Sequence, residues 1–395
     1  MPQLKRSLGL LSLTLYGVGV TLGAGIYVLI GETAGYAGSV TPVAFMIALV
    51  SAMLTALSYA ELGGRYPISA GEAVFVQEAF DKRWLSQIVG AAVTFTGLFS
   101  SATVLQGFSG YAMALIGLPQ MLLIIIAGLT LTAILLWGVK ESVWVASVVT
   151  VLEVGGLLAI IILAAPQAIS APAPFVAATP MGVMVAASVA FFAFIGFEDI
   201  VNVSEEVKNP EKTVPRAIMA TMFIAGTIYV LVAVIAVRAV SPELLALSND
   251  PMAEIMRQTG HPGDEAISLI AMVAILNGAL INMLMASRVL FGMAEKGLAP
   301  AILASVNAAR QTPHVATVLV AAAVLVLALL FPLSQLARIT SFGTLLVFLL
   351  VNLSLIVLRR KHNPLFLVPI FKAPRWAPYA GVGLSAILAA SALLG

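Results

Sequence analysis

The stretch Phe191–Pro215 reads FFAFIGFEDIVNVSEEVKNPEKTVP, an apolar run that Gly196 interrupts and that Glu198 and Asp199 follow at once. A helix facing lipid would not carry two acids there, because charged groups are costly inside a bilayer. A second interrupted segment, Gly17–Gly31 (GVGVTLGAGIYVLIG), lies near the start of the chain. Two interrupted hydrophobic segments in corresponding halves of a chain indicate the binding site of a membrane transporter.

The composition places the chain in a lipid bilayer. Of its 395 residues, 61% are hydrophobic and 10% are charged, and the mean hydropathy is +1.07. This leaves too little polar surface to cover a water-soluble globule of that length. Apolar stretches recur that are long enough for helices to cross a hydrocarbon core of about 30 Å. They are continuous, whereas barrel strands alternate with period two. We therefore predict an all-α polytopic membrane protein.

Hydropathy predicts about eleven membrane helices, the first beginning just after Lys5 and Arg6. Its apolar run is too long for a signal peptide. If the N-terminus is cytoplasmic, all of the 20 lysines and arginines except Arg238, Arg257 and Arg338 fall on the cytoplasmic side. This asymmetry is the one that membrane proteins show, so it supports both the orientation and the number of spans. The predicted spans are approximately 8–31, 39–62, 87–117, 120–138, 143–164, 181–206, 216–240, 264–293, 315–332, 335–358 and 377–394.

Three connections have a predictable character. The cytoplasmic connection Gly63–Arg83 carries an apolar series that favours a short helix at the membrane surface. The outer loop Ala165–Pro180 contains four prolines and suits an extended crossing. The outer loop Ser241–Pro262 is long enough for a short helix over the outer mouth. No polar linker separates a soluble domain, so residues 1–395 are predicted to form a single transmembrane domain.

Several classes of chemistry are excluded. The chain has no cysteine, which rules out disulfides, thiolate metal sites and a cysteine nucleophile. His261, His314 and His362 lie at predicted loops or span ends and have no metal-ligand spacing. No phosphate-cradling motif and no hydrolase motif is present. We expect a chain that is not an enzyme and that holds no resident cofactor or metal.

The first interrupted segment is a candidate carboxylate site. Gly23, Ala24 and Gly25 lack bulk, so the backbone can leave the helix and direct unpaired N–H groups into a cavity. Such groups bind a carboxylate well, helped by the positive end of the helix that follows. The alternative is a close helix–helix contact, since small residues also let membrane helices pack tightly. The spacing of the glycines leaves both interpretations open.

The second segment is a candidate amino-group site. Carbonyls freed beside Gly196, near Phe192, Ala193 and Ile195, would accept hydrogen bonds from an ammonium group, and the Phe192 ring could cover the ligand. Glu198 is favoured over its neighbour as the acid in the pathway, because adjacent helix positions face different ways. Asp199 would then meet an outer vestibule or an inner loop.

Glu153 stands alone in the apolar run VVTVLEVGGLLAII, far from either end of its span. It could take up a proton, help to coordinate a sodium ion, or make a structural hydrogen bond to a neighbouring helix. Other polar side chains could line a cavity or simply join helices, and for each of them alone the second interpretation is favoured. These positions are Ser100, Ser101, Thr103, Gln106, Asn277, Asn282 and Ser287.

Taken together, these segments resemble the amino acid permeases of the amino acid–polyamine–organocation (APC) superfamily over about the whole chain. The resemblance rests on five motifs in this order and spacing. They are GAGIYVLIG at 23–31, YAELGGRYPISAGEA at 59–73, FFAFIGFE at 191–198 with EEVKNPEKTVPRAI at 205–218, SRVLFGMAEKGLAP at 287–300, and FGTLLVFLLVNLSLIVLRR at 342–360.

The resemblance implies a five-plus-five inverted-repeat (LeuT-like) transporter fold with helices 1 and 6 broken. Repeat one would span about 8–164, repeat two about 181–358, and an extra helix about 377–394. Relatives often have twelve spans, whereas this chain ends after the eleventh predicted one. SAGEA at 69–73 also replaces a more usual Gly-Gly-x-Tyr pattern.

The resemblance also assigns roles to individual residues. It places the carboxylate grip on Ala24 and Gly25, and the amino-group contacts on the carbonyls of Thr21, Phe192 and Ile195. Phe192 takes the place of a gating aromatic. Two acids carry the expected coupling and gating roles. Glu198 matches an acid that some relatives use in gating or proton sensing. Glu153 stands where many sodium-independent relatives carry a lysine. The coupling ion could therefore be either a proton or a sodium ion.

We expect a secondary active amino acid permease that works by alternating access, driven by a proton or cation gradient. An alternative is an amine or polyamine importer or exchanger, which the acids Glu153, Glu198 and Asp199 near the path favour. A second alternative is a substrate-sensing membrane receptor without net transport. The expected partners are an amino acid and the lipid bilayer, with no nucleic acid. The expected location is the bacterial inner (cytoplasmic) membrane, and the oligomeric state is left open.

Overall fold

The computed structural model describes residues 6, 8–68, 71–137, 143–295, 299–307, 312–361, 364–366, 368 and 370–393. These residues form α-helices, turns and short 3-10 segments, and this part of the chain contains no β-strand. The predicted all-α class is confirmed. His362, one of the histidines considered above, lies outside the described residues.

The helices are numbered in chain order. The first half of the chain holds α1 (Leu10–Ala37), α2 (Thr41–Arg65), α3 (Gly71–Phe80), α4 (Arg83–Ile116), α5 (Gln120–Trp137) and α6 (Val143–Ser170). The second half holds α7 (Pro180–Ala190), α8 (Asp199–Asn202), α9 (Pro210–Ala239), α10 (Pro242–Leu247), α11 (Pro251–Gln258), α12 (Asp264–Glu295), α13 (His314–Leu330), α14 (Leu333–Arg360) and α15 (Ala377–Ala392).

Eight helical stretches among the described residues are long and apolar enough to cross a membrane. The first of them contains both α1 and α2, and α13 and α15 are apolar but shorter. A helix overlaps each predicted span. The eight stretches are Leu10–Arg65, Arg83–Ile116, Gln120–Trp137, Val148–Ser170, Pro180–Asn202, Pro210–Ala239, Asp264–Glu295 and Leu333–Arg360.

The connections match the sequence in part. The predicted surface helix is α3, and the loop Ser241–Pro262 holds two short helices, α10 and α11. One expectation is wrong: α6 continues through Pro166 to Ser170, although the loop was predicted to be extended from Ala165. A proline lacks the backbone N–H and its ring crowds the carbonyl four residues earlier, but its fixed φ is helical, so a helix can continue through it for a last turn.

The bundle has two ends, which we name the α3 end and the α10–α11 end. At the α10–α11 end the two short helices lie over α1 and α4. A Cβ atom added at Gly31 would lie 2.4 Å from the carbonyl oxygen of Leu245, and one added at Gly110 would lie 2.7 Å from that of Asn249. Glycine is required at both positions because backbone meets backbone. The α10–α11 end is therefore tightly covered.

A buried ion network joins the helices at the α3 end. The Glu61 side chain is fully buried and accepts hydrogen bonds from the Arg65 guanidinium at 3.3 Å, from Arg359 of α14 and from the backbone N–H of Ala373 at 2.8 Å. The Arg65 guanidinium also lies over the ring of Phe366, 4.4 Å from its centroid. One carboxylate thus holds α2, α14 and the segment before α15 together.

Replacing Glu61 with glutamine should destabilise the protein strongly. Among the described residues, Glu61 is the one carboxylate that pairs with the guanidinium groups of Arg65 and Arg359. Breaking such a buried network by removing one partner typically costs about 3–5 kcal/mol. Thermal unfolding of purified protein in detergent should show a fall of several degrees. Glu78→Gln, at an exposed position of α3, is the matched control and should melt like the wild type; equal melting of both variants would contradict the role of Glu61.

Candidate functional site

The helical geometry of α1 is interrupted at Gly23, whose φ of −33° and ψ of −110° are not helical. The residues beside it are buried: Thr21 is 2% exposed and Ala24 is 7% exposed. An interruption here frees backbone N–H and C=O groups in the middle of an apolar helix. Thr21 through Gly25 is therefore a polar patch of backbone inside the bundle.

A second interruption follows α7. A 3-10 turn, Phe191–Phe194, leads to Ile195 in an extended conformation and to Gly196 with φ of +125°. A Cβ atom on Gly196 would also lie 2.9 Å from the Val20 carbonyl oxygen, so glycine is needed both for its φ and for the close approach to α1. The Gly196 N–H donates to the Glu198 carboxylate at 2.8 Å.

The two interruptions touch each other. A Cβ atom on Gly25 would lie 2.3 Å from Cα of Ala193, which places the two backbones in direct contact. The hydroxyl of Tyr229, on α9, shares its single proton between the carbonyl oxygens of Thr21 at 2.5 Å and Ala193 at 2.9 Å. Gly25 is thus a packing position, and the carboxylate site at the first segment stays a prediction.

Tyr229 is a residue that the sequence reasoning missed. It is fully buried, and its ring packs edge-on against Phe194 at 5.1 Å and Phe45 at 6.2 Å. A lone tyrosine in the middle of an otherwise apolar membrane helix is a usable signal, because its hydroxyl must find a hydrogen-bond partner there. The sequence could not say which backbone groups it would reach.

A cavity opens beside this contact. Its empty space amounts to about 990 Å³, a figure that includes open solvent. Two of the predicted substrate-binding residues do not line it: Gly23, at which the backbone leaves the helical conformation, and Ala193, whose backbone contacts Gly25. The predicted residues that do line it are Thr21, Ala24, Gly25, Phe192, Ile195, Gly196 and Glu198.

Polar side chains from α4, α12 and α14 form the facing wall. The Asn282 amide donates to the Ser100 hydroxyl at 2.9 Å, and both residues line the cavity. Thr340 and Thr344 also line it and were missed, because a threonine in an apolar helix is usually satisfied by its own helix. Ser101, Thr103, Gln106, Asn277 and Ser287 are not lining residues; of these, Gln106 donates to the Ala328 and Phe331 carbonyls.

The end of the cavity nearest α3 is acidic. Glu72, Glu198 and Asp199 line it, together with Tyr59 and Asn202, and the described lining residues include no lysine, arginine or histidine. We call the three acids the acidic floor. Asp199 therefore belongs to the cavity together with Glu198, although the sequence argument separated them. Glu72 and Tyr59 were not predicted, because only the fold brings α2 and α3 to this position.

Two of the carbonyls predicted to hold an amino group, those of Thr21 and Phe192, already have partners within the protein. The Thr21 carbonyl accepts from Tyr229, and the Phe192 carbonyl accepts from the Ile195 N–H at 3.1 Å. A carbonyl oxygen has two lone pairs, so each keeps one for a ligand.

Glu153 lies apart from the cavity. It is 1% exposed, and neither of its carboxylate oxygens has a hydrogen-bond partner in the described part of the chain. Its backbone carbonyl accepts from the Tyr27 hydroxyl at 3.0 Å, which places it against α1 just beyond the Gly23 interruption. A buried ionised carboxylate without a partner is very costly, so this group needs a proton or a small cation.

Apolar helices packed around a polar backbone contact and a central cavity define a polytopic integral membrane protein. Comparison with known proteins gives its family: the model of the amino acid permease family matches residues 8–394. The chain therefore belongs to the amino acid permease family, within the APC superfamily, and is a transport protein rather than an enzyme.

Three relatives illustrate the range of the family. The branched-chain amino acid permease BcaP of Bacillus subtilis (strain 168) is 29% identical over 392 residues, which cover 92% of this chain and 83% of the relative. The vacuolar cationic amino acid transporter 2 of Arabidopsis thaliana is 31% identical over 389 residues, covering 90% of this chain and 60% of the relative. The methylthioribose transporter of Bacillus subtilis (strain 168) is 28% identical over 409 residues, covering 96% of this chain and 86% of the relative.

Replacing Tyr229 with phenylalanine should loosen the contact between the two interruptions. The buried carbonyls of Thr21 and Ala193 would lose their shared donor, and an unsatisfied buried acceptor costs about 1–3 kcal/mol. We expect a lower melting temperature and a smaller stabilisation of the purified protein by bound amino acid. Tyr36→Phe, at a partly exposed position near the end of α1, is the control; a Tyr229→Phe protein that melts and binds like the wild type would disprove the bridging role.

Proposed function

We propose that the chain is a secondary active permease that carries an amino acid inward across the cytoplasmic membrane by alternating access. The observation that carries the proposal is the direct contact of two interrupted segments, through Gly25, Ala193 and Tyr229, at the edge of a central cavity. Interrupted helices at the centre of a bundle are how secondary transporters place backbone polar groups around a substrate.

The architecture that suits this function is the five-plus-five inverted repeat in a single domain, 1–395. Repeat one would be about 8–164 and repeat two about 181–358, with about 377–394 as an extra, eleventh span. The positions of the interruptions support it, since one lies in α1 and the other follows α7, the first helix of each half. The asymmetric placement of lysine and arginine supports a cytoplasmic N-terminus in a bacterial inner membrane.

The substrate would be held as a zwitterion. Backbone N–H groups at Ala24 and Gly25 would bind its carboxylate, and the carbonyls of Thr21, Phe192 and Ile195 would bind its amino group. All five residues line the cavity, which supports this arrangement. The Phe192 ring would cover the ligand as a gate, and Ser100, Asn282, Thr340 and Thr344 would meet its side chain.

The conformation would then be an inward-facing state. The lining residues lie in the middle of α1 and towards the α3 end of the bundle, while α10 and α11 cover the opposite end. With a cytoplasmic N-terminus, the α3 end faces the cytoplasm. The outer path would open only when α10 and α11 separate from α1 and α4.

Glu153 would couple transport to a proton or a sodium ion. It is buried without a side-chain partner against α1, so gaining or losing a bound cation there changes the energy of the first interrupted helix directly. Glu198, beside Gly196, would take part in gating at the other interruption. Two of the three relatives named above, the branched-chain amino acid permease and the cationic amino acid transporter, support an amino acid as the substrate.

Uptake into proteoliposomes tests the function. Radiolabelled amino acids, branched-chain and cationic ones first, should accumulate under an imposed proton or sodium gradient, and no uptake of any amino acid would overturn the proposal. Binding without counterflow would indicate a substrate-sensing receptor instead. The acidic floor favours one other candidate, an amine or polyamine carrier, in which case an amine without a carboxylate would displace the substrate.

Glu153→Gln should abolish or uncouple gradient-driven uptake while substrate binding stays measurable. Glutamine keeps the size of the side chain but cannot exchange a proton or neutralise a cation. The measurement is uptake against imposed pH and sodium gradients, paired with a thermal-shift binding assay. Glu265→Gln, at an exposed position of α12, should behave like the wild type, and an unchanged pH and sodium dependence in Glu153→Gln would remove Glu153 from the coupling step.

A further inference from the structure

Glu72 is a buried acid for which the transport cycle described above has no role. It lies in the first turn of α3, is only 6% exposed and lines the cavity at its acidic floor. Buried acids without a cationic partner are costly, so one that borders a cavity calls for an explanation.

Glu72 is tied to the rest of the floor through Tyr59. The Tyr59 hydroxyl donates to the Glu72 carboxylate at 3.1 Å. The Tyr59 ring packs edge-on against Phe75 at 6.2 Å, and against Phe197 and Phe348 at 5.5 and 5.4 Å. One side chain therefore connects α3 with the second interruption and with α14.

The start of α3 also rests directly on α8. A Cβ atom added at Gly71 would lie 2.5 Å from the Val201 side chain. This close contact places Glu72 next to Asp199 and Glu198. The contact of α3 with α8 thus brings together three acids at the end of the cavity that faces the cytoplasm in the proposed orientation.

The charges around Glu72 are mostly negative. Burial, and next the charge of Asp199, raise the pKa of Glu72 to about 7, against the opposing effect of hydrogen bonds from its own backbone N–H and from Tyr59. α4 contributes a neutral group, the Ser86 hydroxyl, which donates to the Ala73 carbonyl. Lys361, after α14, contacts the far end of α3, at the Glu78 carbonyl.

We propose that Glu72 is a proton-controlled gating residue that acts through Tyr59 and α8 to open the cytoplasmic end of the cavity. With Glu72 neutral, α3 stays in contact with α8 and the cytoplasmic opening of the cavity is narrow. With Glu72 ionised, repulsion from Asp199 weakens the contact of α3 with α8, and the cytoplasmic opening of the cavity widens. The gating role rests on the inward-facing permease proposed above, and it makes substrate release depend on cytoplasmic pH.

Because the chain has no native cysteine, single introduced cysteines can report access to the cavity. Val93 lines the cavity and is partly buried, so Val93→Cys measures entry, whereas Glu78→Cys on the exposed side of α3 measures how pH alone changes thiol reactivity. Purified proteins in lipid nanodiscs would be treated with a membrane-impermeant methanethiosulfonate. The ratio of the two modification rates isolates the opening of the cavity.

The ratio should rise several-fold between about pH 6 and about pH 8, a range that brackets the pKa of about 7 at Glu72. In proteins that also carry Glu72→Gln the ratio should stay low and flat. Glu78→Gln in the Val93→Cys protein controls for the loss of one charge from α3 and should leave the rise unchanged. A flat ratio with Glu72 present, or an equal rise in Glu72→Gln, would overturn the proposal.

Tyr59→Phe is a second variant that keeps the charge of Glu72. It removes a hydrogen bond that favours the ionised form, so the midpoint of the rise should move to higher pH. An unmoved midpoint would show that another group titrates. Nanodisc accessibility does not require transport, so a failure of this proposal is distinguishable from a failure of the permease function, which only the uptake assay reports.

Discussion

Interrupting a helix inside a bilayer exposes backbone N–H and C=O groups to a medium that offers them no hydrogen bonds. Such interruptions persist only where other parts of the protein or a cavity satisfy the freed groups. Here the interruptions at Gly23 and after Ala190 lie against each other, and Tyr229 serves both of them. The residues Thr21, Ala24, Gly25, Phe192, Ile195 and Gly196 beside the interruptions also line the cavity, where the proposed zwitterionic substrate would bind.

The buried charges divide into two kinds. Glu61 accepts from two arginines and a backbone N–H, so its network is complete and holds the α3 end of the bundle together. Glu153 and the acidic floor have no basic partner among the described residues. A complete network stabilises one conformation, whereas an incomplete one changes energy whenever a proton or cation arrives. The second kind is suited to driving a conformational change.

The local features of the fold could be predicted with little beyond hydropathy and the placement of glycine and charge. Apolar runs predicted the helices, and Gly196 predicted an interruption, which its positive φ explains. The proline-rich loop was also predicted, but its start was placed too early, because α6 continues through Pro166. The end of α6 at Ser170 was not predicted, because a terminal turn is decided by a small balance of backbone hydrogen bonds.

The sequence by itself determined the class of the protein, its membrane helices and the residues at the two interruptions. Those follow from periodicity, hydropathy and the conformational freedom of glycine, which are properties of short segments. Only the tertiary structure decided that Gly25 contacts Ala193, that Tyr229 bridges two carbonyls, and that Glu72 joins Glu198 and Asp199. Each of those contacts joins residues far apart in the chain, and packing of the helices, rather than any local preference, brings them within a few ångströms.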